Sequence, residues 1–475
     1  MGENRNEERY VVALEIGSSK IRSAVGKVDT SGVVNIIAVE EERLIDKVRY
    51  GCIQNMDVSN AISMVIERLE RYPQIAPRKI EGVYVSLGGR SLQSQSTNVS
   101  INLPGETEIT RPIINELYQR AAATVSEERD VADVVPVRFV VDNKTQNEPI
   151  GSYGRTIGGQ MTTLSCAPQI KRMLRRVIEE RLKLTINGYV VRPLAEANIV
   201  LSDDERRLGC MFVDFGAETT TVSIYQNGKP VYVATLPIGS RNITLDLRAL
   251  NYIEERAEEI KKARCNALVQ NNAQHRGAES IDYTNENNYV HARSEEIIAN
   301  ILAQMEYAGV RDTDLPGGII IVGGGARLRG FNELLSQQSK MKVRQGAPSA
   351  SIRISDGAVD RTEMVDVISI LVAASQMKPA LCLTELPEEP EEPETGSGIG
   401  TYESEYGNAT NGGGSRIGKY DDGDGDDDGN DNVSGTSNQK IKKGGFGAML
   451  NKMKERIAGM MDDNTDYDDN TDYKE

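Results

Sequence analysis

The sequence predicts an α/β protein built from two related halves, followed by a C-terminal region of very different composition. Between residues 9 and 385, short apolar runs of strand length alternate with segments of helical periodicity. Two hairpin patterns with glycine turns, at residues 11–25 and 210–225, lie about 200 residues apart. This recurrence indicates that the two halves share one arrangement of strands.

The elements are predicted in chain order from apolar periodicity and turn residues. The strands predicted in this way are residues 11–16, 21–25, 210–213, 219–225, 231–236 and 319–322. The helices are residues 170–182, which are strongly basic, 252–268 and 293–308. Gly17, Ser18 and Ser19 form the turn between the first two strands, so the fold opens with a hairpin rather than a β-α-β unit.

Charge is unevenly distributed along the 475 residues, which carry 55 basic and 71 acidic side chains and a net charge of −16. Residues 386–439 hold fourteen acids and two bases, 440–461 one acid and six bases, and 462–475 seven acids and one base. Residues 1–385 are therefore close to neutral, at −3. A chain with this charge distribution is not expected to bind nucleic acid backbones. Its length predicts at least two domains.

Cysteine and histidine usage excludes several classes of site. The five cysteines are far apart without a C-x-x-C pair, and no apolar leader is expected at the N-terminus, which is typical of a reduced cytosolic protein. With His275 and His291 as the two histidines, neither a zinc hydrolase nor a Ser-His-Asp triad is expected. No apolar run reaches the roughly 20 residues that a membrane-spanning helix needs.

Three glycine-containing segments suggest a phosphate-binding site. The turns E-I-G-S-S-K at 15–20 and D-F-G-A-E-T-T at 214–220 combine a strand-end carboxylate, a glycine and hydroxyl or amine donors. Such carboxylates can hold the water shell of Mg²⁺, and glycine lets the backbone approach a phosphate. The third segment, G-G-G-A-R-L-R-G at 323–330, is not a Walker A loop, because Phe331 and Asn332 replace its lysine and hydroxyl residue. Each turn alone is also compatible with an ordinary hairpin or capping glycine.

The order of these segments resembles that of a known superfamily. The chain resembles the actin/sugar-kinase/heat-shock-chaperone ATPases, and within them the FtsA family of bacterial cell-division proteins, through the motifs E-I-G-S-S-K, R-P-L-A-E-A-N at 192–198, D-F-G-A-E-T-T, A-E-E-I-K at 257–261 and V-G-G-G-A-R-L-R-G. The resemblance covers about residues 9–385 and the terminal helix. It implies an actin-like two-lobed ATPase fold with an FtsA-type inserted subdomain, a disordered acidic linker and a C-terminal amphipathic helix.

The resemblance also implies how the chain divides. The implied parts are 9–82, 166–192 and 357–385 for subdomain 1A, 83–165 for the inserted subdomain 1C, 193–239 and 310–356 for subdomain 2A, 240–309 for subdomain 2B, 386–439 for the acidic linker, 440–461 for the membrane-targeting helix and 462–475 for the acidic tail. The inserted subdomain implies polymer contact and communication with later division proteins.

The nucleotide site of the family implies ATP and Mg²⁺ as cofactors and gives roles to the matching residues. Phosphate contacts are implied for Gly17, Ser18, Ser19, Lys20, Gly216, Thr219 and Thr220. Adenosine contacts are implied for Glu258, Lys261, Gly323, Gly324 and Gly325. Glu15 and Asp214 are implied to hold Mg²⁺ through water and to position the hydrolytic water. For Glu258 and Lys261 the alternative is a surface helix with charges three residues apart.

Two residues depart from the family pattern. Glu15 stands where the family usually has Asp, and its extra methylene would move or crowd the metal. Glu218 stands where the family has Gly, and it adds a negative charge that repels phosphates. Weakened hydrolysis, or lost nucleotide binding with the fold retained, is therefore an alternative to an active ATPase.

Arg293 is the residue that the resemblance implies for binding the C-terminal peptide of the tubulin-like protein FtsZ. It opens the helix pattern at residues 293–308, in a region that belongs to the peptide-binding subdomain of the family. The alternative is an ion pair with Glu296, three residues further along the same helix.

The segment 440–461 is predicted to form an amphipathic helix on the membrane. At 100° per residue, its apolar side chains share an arc of about 120°. They are Phe446, Met449, Leu450, Met453, Ile457, Met460 and Met461. Lys454 and Arg456 flank this arc, where basic side chains reach anionic head groups. The alternative is a helix that docks on the protein itself or on a partner.

The sequence and the resemblance together predict an actin-like ATP-binding protein on the cytoplasmic side of the inner membrane. It is expected to polymerise, to tether the FtsZ ring to anionic lipids at the division site and to recruit later division proteins. Its main role is that of a scaffold, in which self-assembly strengthens the weak attachment of each helix. A small-molecule kinase of the same superfamily is the alternative, although it gives no reason for the linker and helix. A chaperone would need a folded domain after residue 386, which the composition excludes.

Overall fold

Two β-sheets organise the chain in a computed structural model that describes residues 9–268, 282–350, 352–354 and 360–384. The strands of these residues are β1 Arg9–Ile16, β2 Lys20–Val28, β3 Val34–Arg43, β4 Val48–Arg49, β5 Cys52–Ile53, β6 Lys79–Ile80, β7 Gly82–Leu87, β8 Gln93–Glu108, β9 Asp130–Val141, β10 Lys144–Gln146, β11 Tyr153–Cys166, β12 Thr185–Val191, β13 Cys210–Phe215, β14 Thr220–Gln226, β15 Lys229–Leu236, β16 Ile319–Val322, β17 Val343–Gln345, β18 Arg353–Ile354 and β19 Leu383–Thr384. The helices are α1 Val58–Glu70, α2 Arg111–Ala122, α3 Pro168–Arg175, α4 Arg192–Val200, α5 Asp203–Leu208, α6 Ser240–Leu247, α7 Glu254–Ala263, α8 Thr284–Tyr307, α9 Phe331–Ser339 and α10 Val365–Ser375.

The first sheet forms the first half of the fold, with the strand order β12-β7-β1-β2-β3-β18. Strands β1, β2 and β3 form an antiparallel meander, and β7 and β12 follow beyond β1 in parallel pairing. Helices α1 and α10 pack against the meander. Leu14 and Ile21, which lie in apolar runs predicted as strands, are fully buried there, and so is Ile36 of β3, a strand that was not predicted. The predicted opening hairpin is confirmed.

The second sheet repeats this order. Strands β15, β14 and β13 form an antiparallel meander, and β16 and β17 follow β13 in parallel pairing. The run β15-β14-β13-β16-β17 therefore corresponds to β3-β2-β1-β7-β12 of the first sheet. Every residue of β13 is buried, as expected for a strand covered on both faces. The internal duplication predicted from the two glycine turns is confirmed.

A small subdomain inserted after β7 extends the second sheet. Strand β11 pairs antiparallel with β8 and β9, and α2 packs on them over a separate core that includes Ile101, Leu117 and Met161. Strand β8 pairs with β15 at a single residue position, Gln93 with Ala234, and β9 and β11 also lie close to β15. Because β7 pairs with β1 and β12, it belongs to the first sheet. The insert therefore begins after β7 and not at residue 83, a boundary that depends on pairing the sequence does not reveal.

Two predicted helices differ in length from the structure. The helix predicted over 252–268 is limited to α7, since Arg264 leaves the helical conformation and Asn266 Oδ1 accepts a hydrogen bond of 2.9 Å from the Leu268 nitrogen. The basic helix predicted over 170–182 is confirmed as α3 and a π-helical turn, Arg176–Arg181, that continues it. Helix α8 contains most of the segment predicted at 293–308 and begins nine residues earlier.

The predicted linker 386–439, membrane helix 440–461 and tail 462–475 lie outside the described residues. The same holds for the side chains predicted to contact lipid, which are Phe446, Met449, Leu450, Met453, Ile457, Met460 and Met461. Within the described ranges, no helix combines the length and apolarity that crossing a membrane requires.

Candidate functional site

The two glycine turns predicted from the sequence have the same backbone geometry. The Gly17 nitrogen donates to the Lys20 carbonyl at 2.9 Å, and the Gly216 nitrogen donates to the Thr219 carbonyl at 2.9 Å. Each turn follows the first strand of its meander, so β1 and β13 end at equivalent places in the two halves. A Cβ atom at residue 17 would lie 3.2 Å from Glu15 Oε2, and glycine keeps this approach open.

An arginine joins the carboxylates at the ends of β1 and β13. Glu15 and Asp214 are only 2% and 5% exposed. Arg192 donates from Nη1 to Glu15 Oε1 at 2.8 Å and from Nη2 to Asp214 Oδ2 at 2.6 Å. Its Nε lies 3.6 Å from Oε1 of Glu196, one turn further along α4. One guanidinium group thus faces three buried carboxylates.

The start of helix α4 positions this arginine. Strand β12 ends at Val191, and Pro193 follows Arg192 in the first turn, where a helix needs no backbone donor. A Cβ atom at Gly88, just after β7, would lie 3.7 Å from Arg192 Cζ. The guanidinium therefore lies near the end of β7, the strand next to β1 in the first sheet.

Burial and charge act in opposite directions on the pKa values of this cluster. Burial raises the pKa of Glu15 to about 7, although Arg192 and Arg22 lower it. Burial also raises the pKa values of Asp214 and Glu196. Burial alone would lower the pKa of Arg192, but its carboxylate partners raise it well above the usual value. The arginine stays charged and supplies the positive charge that buried carboxylates need.

The glycine-rich segment after β16 converges on the same place. Gly323 has a φ of +91°, and a Cβ atom there would lie 2.7 Å from Asp214 Oδ1. A Cβ atom at Gly325 would lie 2.5 Å from the Phe215 ring, so neither position accepts a side chain. Gly324 is exposed, and no described atom beyond its chain neighbours lies within 4 Å of its Cβ position. The three predicted glycine segments therefore meet where β1 and β13 end.

Two side chains predicted to contact phosphate have other partners in the structure. Lys20 Nζ lies 2.6 Å from Glu41 Oε1 and 3.2 Å from Glu363 Oε1. The Thr220 hydroxyl is fully buried and donates to the Ile238 carbonyl at 2.7 Å. Phosphate contacts from Lys20 and Thr220 would require these ion pairs and this hydrogen bond to break. The two phosphate contacts stay predictions.

The other predicted phosphate residues lie on the turns themselves. The Ser18 hydroxyl accepts a hydrogen bond of 3.3 Å from the Gly51 nitrogen, and the carbonyl of exposed Ser19 accepts one of 2.8 Å from the Leu44 nitrogen. Thr219 is buried beside Gly216. Their phosphate contacts also stay predictions.

Glu218, whose charge the sequence predicts to repel phosphate, is paired with an arginine in the structure. Arg241 donates from Nη1 to Glu218 Oε1 at 2.6 Å and from Nη2 to Asp46 Oδ1 at 2.8 Å. The other carboxylate oxygen of Glu218 accepts a hydrogen bond of 2.7 Å from the Tyr50 nitrogen. We name this set the Arg241 clasp; it comprises Arg241, Glu218, Asp46 and Tyr50. It ties the second glycine turn to the β3–β5 region of the first half.

Glu258 and Lys261, predicted to contact adenosine, form an internal network between α6 and α7. Lys261 Nζ lies 2.6 Å from Glu258 Oε2, 2.8 Å from the Thr244 hydroxyl and 2.9 Å from the Ser240 carbonyl. Burial lowers the pKa of Lys261. Burial opposes ionisation of Glu258 as well, but the charge of Lys261 and its hydrogen bond help to lower the pKa of Glu258 to about 2. Lys261 is 5% exposed, so it is not a surface charge, and its adenosine contact stays a prediction.

Arg293 is held by two carboxylates. It donates from Nε and Nη2 to Asp246 at 2.5 and 2.9 Å, and from Nη1 to Glu296. The ion pair with Glu296 was the alternative from the sequence and is present, while the contact with Asp246 on α6 was not predicted. Contact of Arg293 with a partner stays a prediction.

Sequence reasoning missed Arg192 and Arg241 as members of the site. Arg192 opens the R-P-L-A-E-A-N motif, and its spacing of four from Glu196 is a local signal that could have drawn attention to it. Its contacts with Glu15 and Asp214 join residues 177 and 22 positions away, and no local pattern encodes them.

The contacts of Glu15 and Asp214 do not fit the predicted Mg²⁺ site. Mg²⁺ requires a near-octahedral set of oxygen ligands that usually includes several waters. Here the Arg192 guanidinium lies between the two carboxylates and would repel a second cation beside it. Among the described residues, no group of three or more His, Cys, Asp or Glu side chains is arranged to hold a metal ion. The arrangement instead supplies a fixed positive charge among glycine-lined turns.

Known protein families match both the core and the insert of this chain. A family model described as cell division protein FtsA matches residues 211–369, and a model of the SHS2 domain inserted in FtsA matches residues 89–165. The second match agrees with an insert that begins after β7. Among solved structures, a chain of the PilM–PilN type IV pilus biogenesis complex has a TM-score of 0.57 at 14% identity, covering 77% of this chain and 99% of that one. This likeness shows a shared fold.

Similarity to individual proteins extends over most of the chain. The cell division protein FtsA of Porphyromonas gingivalis is 30% identical over 352 residues, which are 70% of this chain and 72% of that protein. The protein of the same name from Bacillus subtilis is 28% identical over 361 residues, which are 72% of this chain and 80% of that protein. The similarity is therefore not confined to the glycine turns.

Proposed function

The chain belongs to the FtsA family of cell-division proteins and has an actin-like fold, and on this premise we propose that it is an ATP-binding scaffold of the division machinery. It polymerises on the cytoplasmic side of the inner membrane and tethers the FtsZ ring there. Its task is to hold partners in place, so that nucleotide serves the assembly of the scaffold.

The proposed ATP site is the place where β1 and β13 end. The observation that carries it is the convergence of three glycine segments, at residues 17–20, 216–220 and 323–325, on the two strand ends whose carboxylates Arg192 bridges. Backbone nitrogens of glycine turns and guanidinium groups are groups that proteins use to hold phosphate. ATP that contacts both turns would connect the two halves and favour the folded chain.

Membrane attachment is proposed from the sequence of residues 440–461. Seven apolar side chains on one helical face, with six basic residues in the same segment, suit the interface of an anionic bilayer. One such helix binds weakly, but several helices on one polymer act together through effective concentration. Polymerisation and attachment would thus depend on each other.

The FtsZ peptide is proposed to bind the second half near Arg293. The Arg293 side chain remains 26% exposed while it pairs with Asp246 and Glu296. An acidic group on a peptide could exchange with one of these partners, since partly exposed ion pairs are weak. The inserted subdomain, which has its own core, is proposed as the surface for later division proteins and for other copies of the chain.

Attachment is tested by co-sedimentation of the full chain with liposomes that contain anionic lipid. We expect deletion of residues 440–475 to abolish sedimentation, and deletion of 462–475 alone to retain it, because the second variant keeps the apolar and basic residues. Lipid binding that survives the longer deletion would contradict a tether at this segment.

Partner binding is tested by fluorescence anisotropy with a labelled FtsZ C-terminal peptide. We expect Arg293→Ala to weaken binding about tenfold, which corresponds to the loss of one charge-assisted contact. Arg311→Ala is the matched control, since Arg311 is an exposed arginine of the same half that pairs with Asp314. Equal weakening by both variants would point to general charge attraction and not to a site at Arg293.

A further inference from the structure

The position between the two strand-end carboxylates is filled by a side chain of the protein. Arg192 bridges Glu15 and Asp214 with hydrogen bonds of 2.8 and 2.6 Å, one from each terminal nitrogen. This is the place where the sequence predicts a hydrated Mg²⁺ ion. A guanidinium with a full positive charge takes that place in the structure.

The arginine is firmly held. Its side chain is 14% exposed, and it faces carboxylates of β1, β13 and its own helix α4. Gly88, just after β7, lies beside the guanidinium, since a Cβ atom there would be 3.7 Å from Cζ. Withdrawing Arg192 would leave Glu15, Asp214 and Glu196 buried without their shared positive charge, which is strongly unfavourable.

The chemistry of a guanidinium suits a phosphate site. Its donors form a planar fork that matches phosphate oxygens, and its charge does not depend on pH in the physiological range. Within the described part of the chain, Arg192 Nε is buried and makes no hydrogen bond. This nitrogen lies 3.6 Å from Glu196 Oε1, so a phosphate would have to be contacted through the remaining hydrogens of the two terminal nitrogens, which also hold the carboxylates.

We propose that Arg192 takes the place of the divalent cation, so that this site binds the metal-free tetraanion of ATP. This inference rests on the proposed ATP site. The carboxylates that would hold the water shell of a metal are engaged by the arginine, and the arginine would repel a metal ion at that position. The positive charge at this position comes from the chain itself, and the nucleotide is a structural ligand.

The first experiment measures metal binding without nucleotide. Mn²⁺ is titrated into the full chain and followed by electron paramagnetic resonance, with thermal unfolding in Mg²⁺ as a second readout. We expect no tight Mn²⁺ site in the wild type. We expect Arg192→Gln to create one, since Glu15, Asp214 and Glu196 then need a cation. In the double variant Arg192→Gln with Asp214→Asn, Mn²⁺ affinity should fall at least about tenfold from the single variant.

Two controls keep this result interpretable. Arg344→Gln removes an arginine that pairs with Glu205 away from the glycine turns, and it should create no Mn²⁺ site. Arg192→Lys keeps a positive charge in the cluster and should bind no Mn²⁺, so a Mn²⁺ site in this variant would contradict a role for that charge. A tight Mn²⁺ site in the wild type, or in both glutamine variants alike, overturns the proposal.

The second experiment measures ATP binding by calorimetry, in EDTA and in excess Mg²⁺. We expect the wild-type dissociation constant to change by less than about threefold between the two buffers. Binding that requires Mg²⁺ overturns the inference and leaves the proposed ATP site intact. Absence of binding in both buffers overturns the proposed ATP site, and the Mn²⁺ titration still decides whether Arg192 occupies a cation site.

Discussion

The carboxylate of Glu218 accepts a hydrogen bond of 2.7 Å from the backbone nitrogen of Tyr50, a residue 168 positions earlier in the chain. This contact, with the Arg241 clasp around it, fixes the second glycine turn against the first half of the fold. Glu218 thus has a structural partner for each of its oxygen atoms, and it shares the charge of Arg241 with Asp46 and Glu254.

The Arg241 clasp is expected to contribute to stability. In Arg241→Met, Glu218 stays buried without a cation, and the free energy of unfolding should fall by about 3 kcal/mol. Urea denaturation followed by circular dichroism measures this change. In the double variant Arg241→Met with Glu218→Met, part of the loss should return, since an apolar pair replaces a buried charge. A double variant no more stable than the single one would show that the clasp does not act through Glu218.

Two neighbouring glycines of the third segment should respond differently to alanine. Gly325→Ala places a methyl group 2.5 Å from the Phe215 ring and should cost about 1–3 kcal/mol through overpacking. ATP affinity should fall together with the stability, because Phe215 is the last residue of β13, next to the proposed ATP site. Gly324→Ala is the control, since its Cβ position is open, and its free energy of unfolding should change by less than about 0.5 kcal/mol. Equal effects from the two variants would mean that the close approach at Gly325 is unimportant.

The ion pair of Glu205 with Arg344 should make stability depend on pH in the acid range. Hydrogen bonds from Arg344 and Ser202 lower the pKa of Glu205 from its usual 4.5 to about 2. Because the folded pKa is the lower one, the stabilisation is present above pH 4.5 and is lost as the pH falls toward 2. The difference in free energy of unfolding between wild type and Arg344→Gln should therefore shrink below pH 4.5.

Denaturation with urea at a series of pH values measures this difference. In a background of Glu205→Gln, the Arg344→Gln change should show no such pH dependence, since the titrating group is absent. A difference that grows on acidification would contradict the assignment.

The acidic tail is expected to weaken membrane attachment. Replacing the seven acids of residues 462–475 by Asn and Gln removes negative charge next to the basic segment 440–461. Liposome binding should become stronger at low salt, and the gain should disappear at about 1 M salt, where the screening length is about 3 Å. Co-sedimentation at several salt concentrations measures the effect. Unchanged binding at low salt would show that the tail does not tune attachment.

The predictions that succeeded from sequence rest on local patterns. The hairpins at Gly17 and Gly216 follow from alternating apolar residues and a turn residue, and their strands agree with the prediction to within three residues. The duplication follows because the same pattern occurs twice. Strand β16 has the predicted bounds, since four consecutive buried residues before a glycine leave little choice.

The parts that the sequence did not reveal depend on long-range pairing. The sequence around Lys20 predicts a phosphate ligand, but the pairing of β2 with β3 brings Glu41 to the Lys20 ammonium group. The sequence places strand β7 in the insert, and only its parallel pairing with β1 assigns it to the first sheet. Arg192 has one local partner in Glu196, while its two strongest contacts come from strands of both halves. Such contacts are products of the completed fold.

The two edge strands of the second sheet, β10 and β17, have three residues each. Without the insert, the eight-residue strand β15 would be the outermost strand of the second meander. A long unpaired edge strand can pair with a strand of another molecule, whereas a short edge strand offers too few backbone groups for such pairing. Strand β10 pairs with residues 139–141 of the twelve-residue strand β9 alone, so residues 130–138 have no strand partner on that side among the described strands, and this stretch is where a strand of another copy could add.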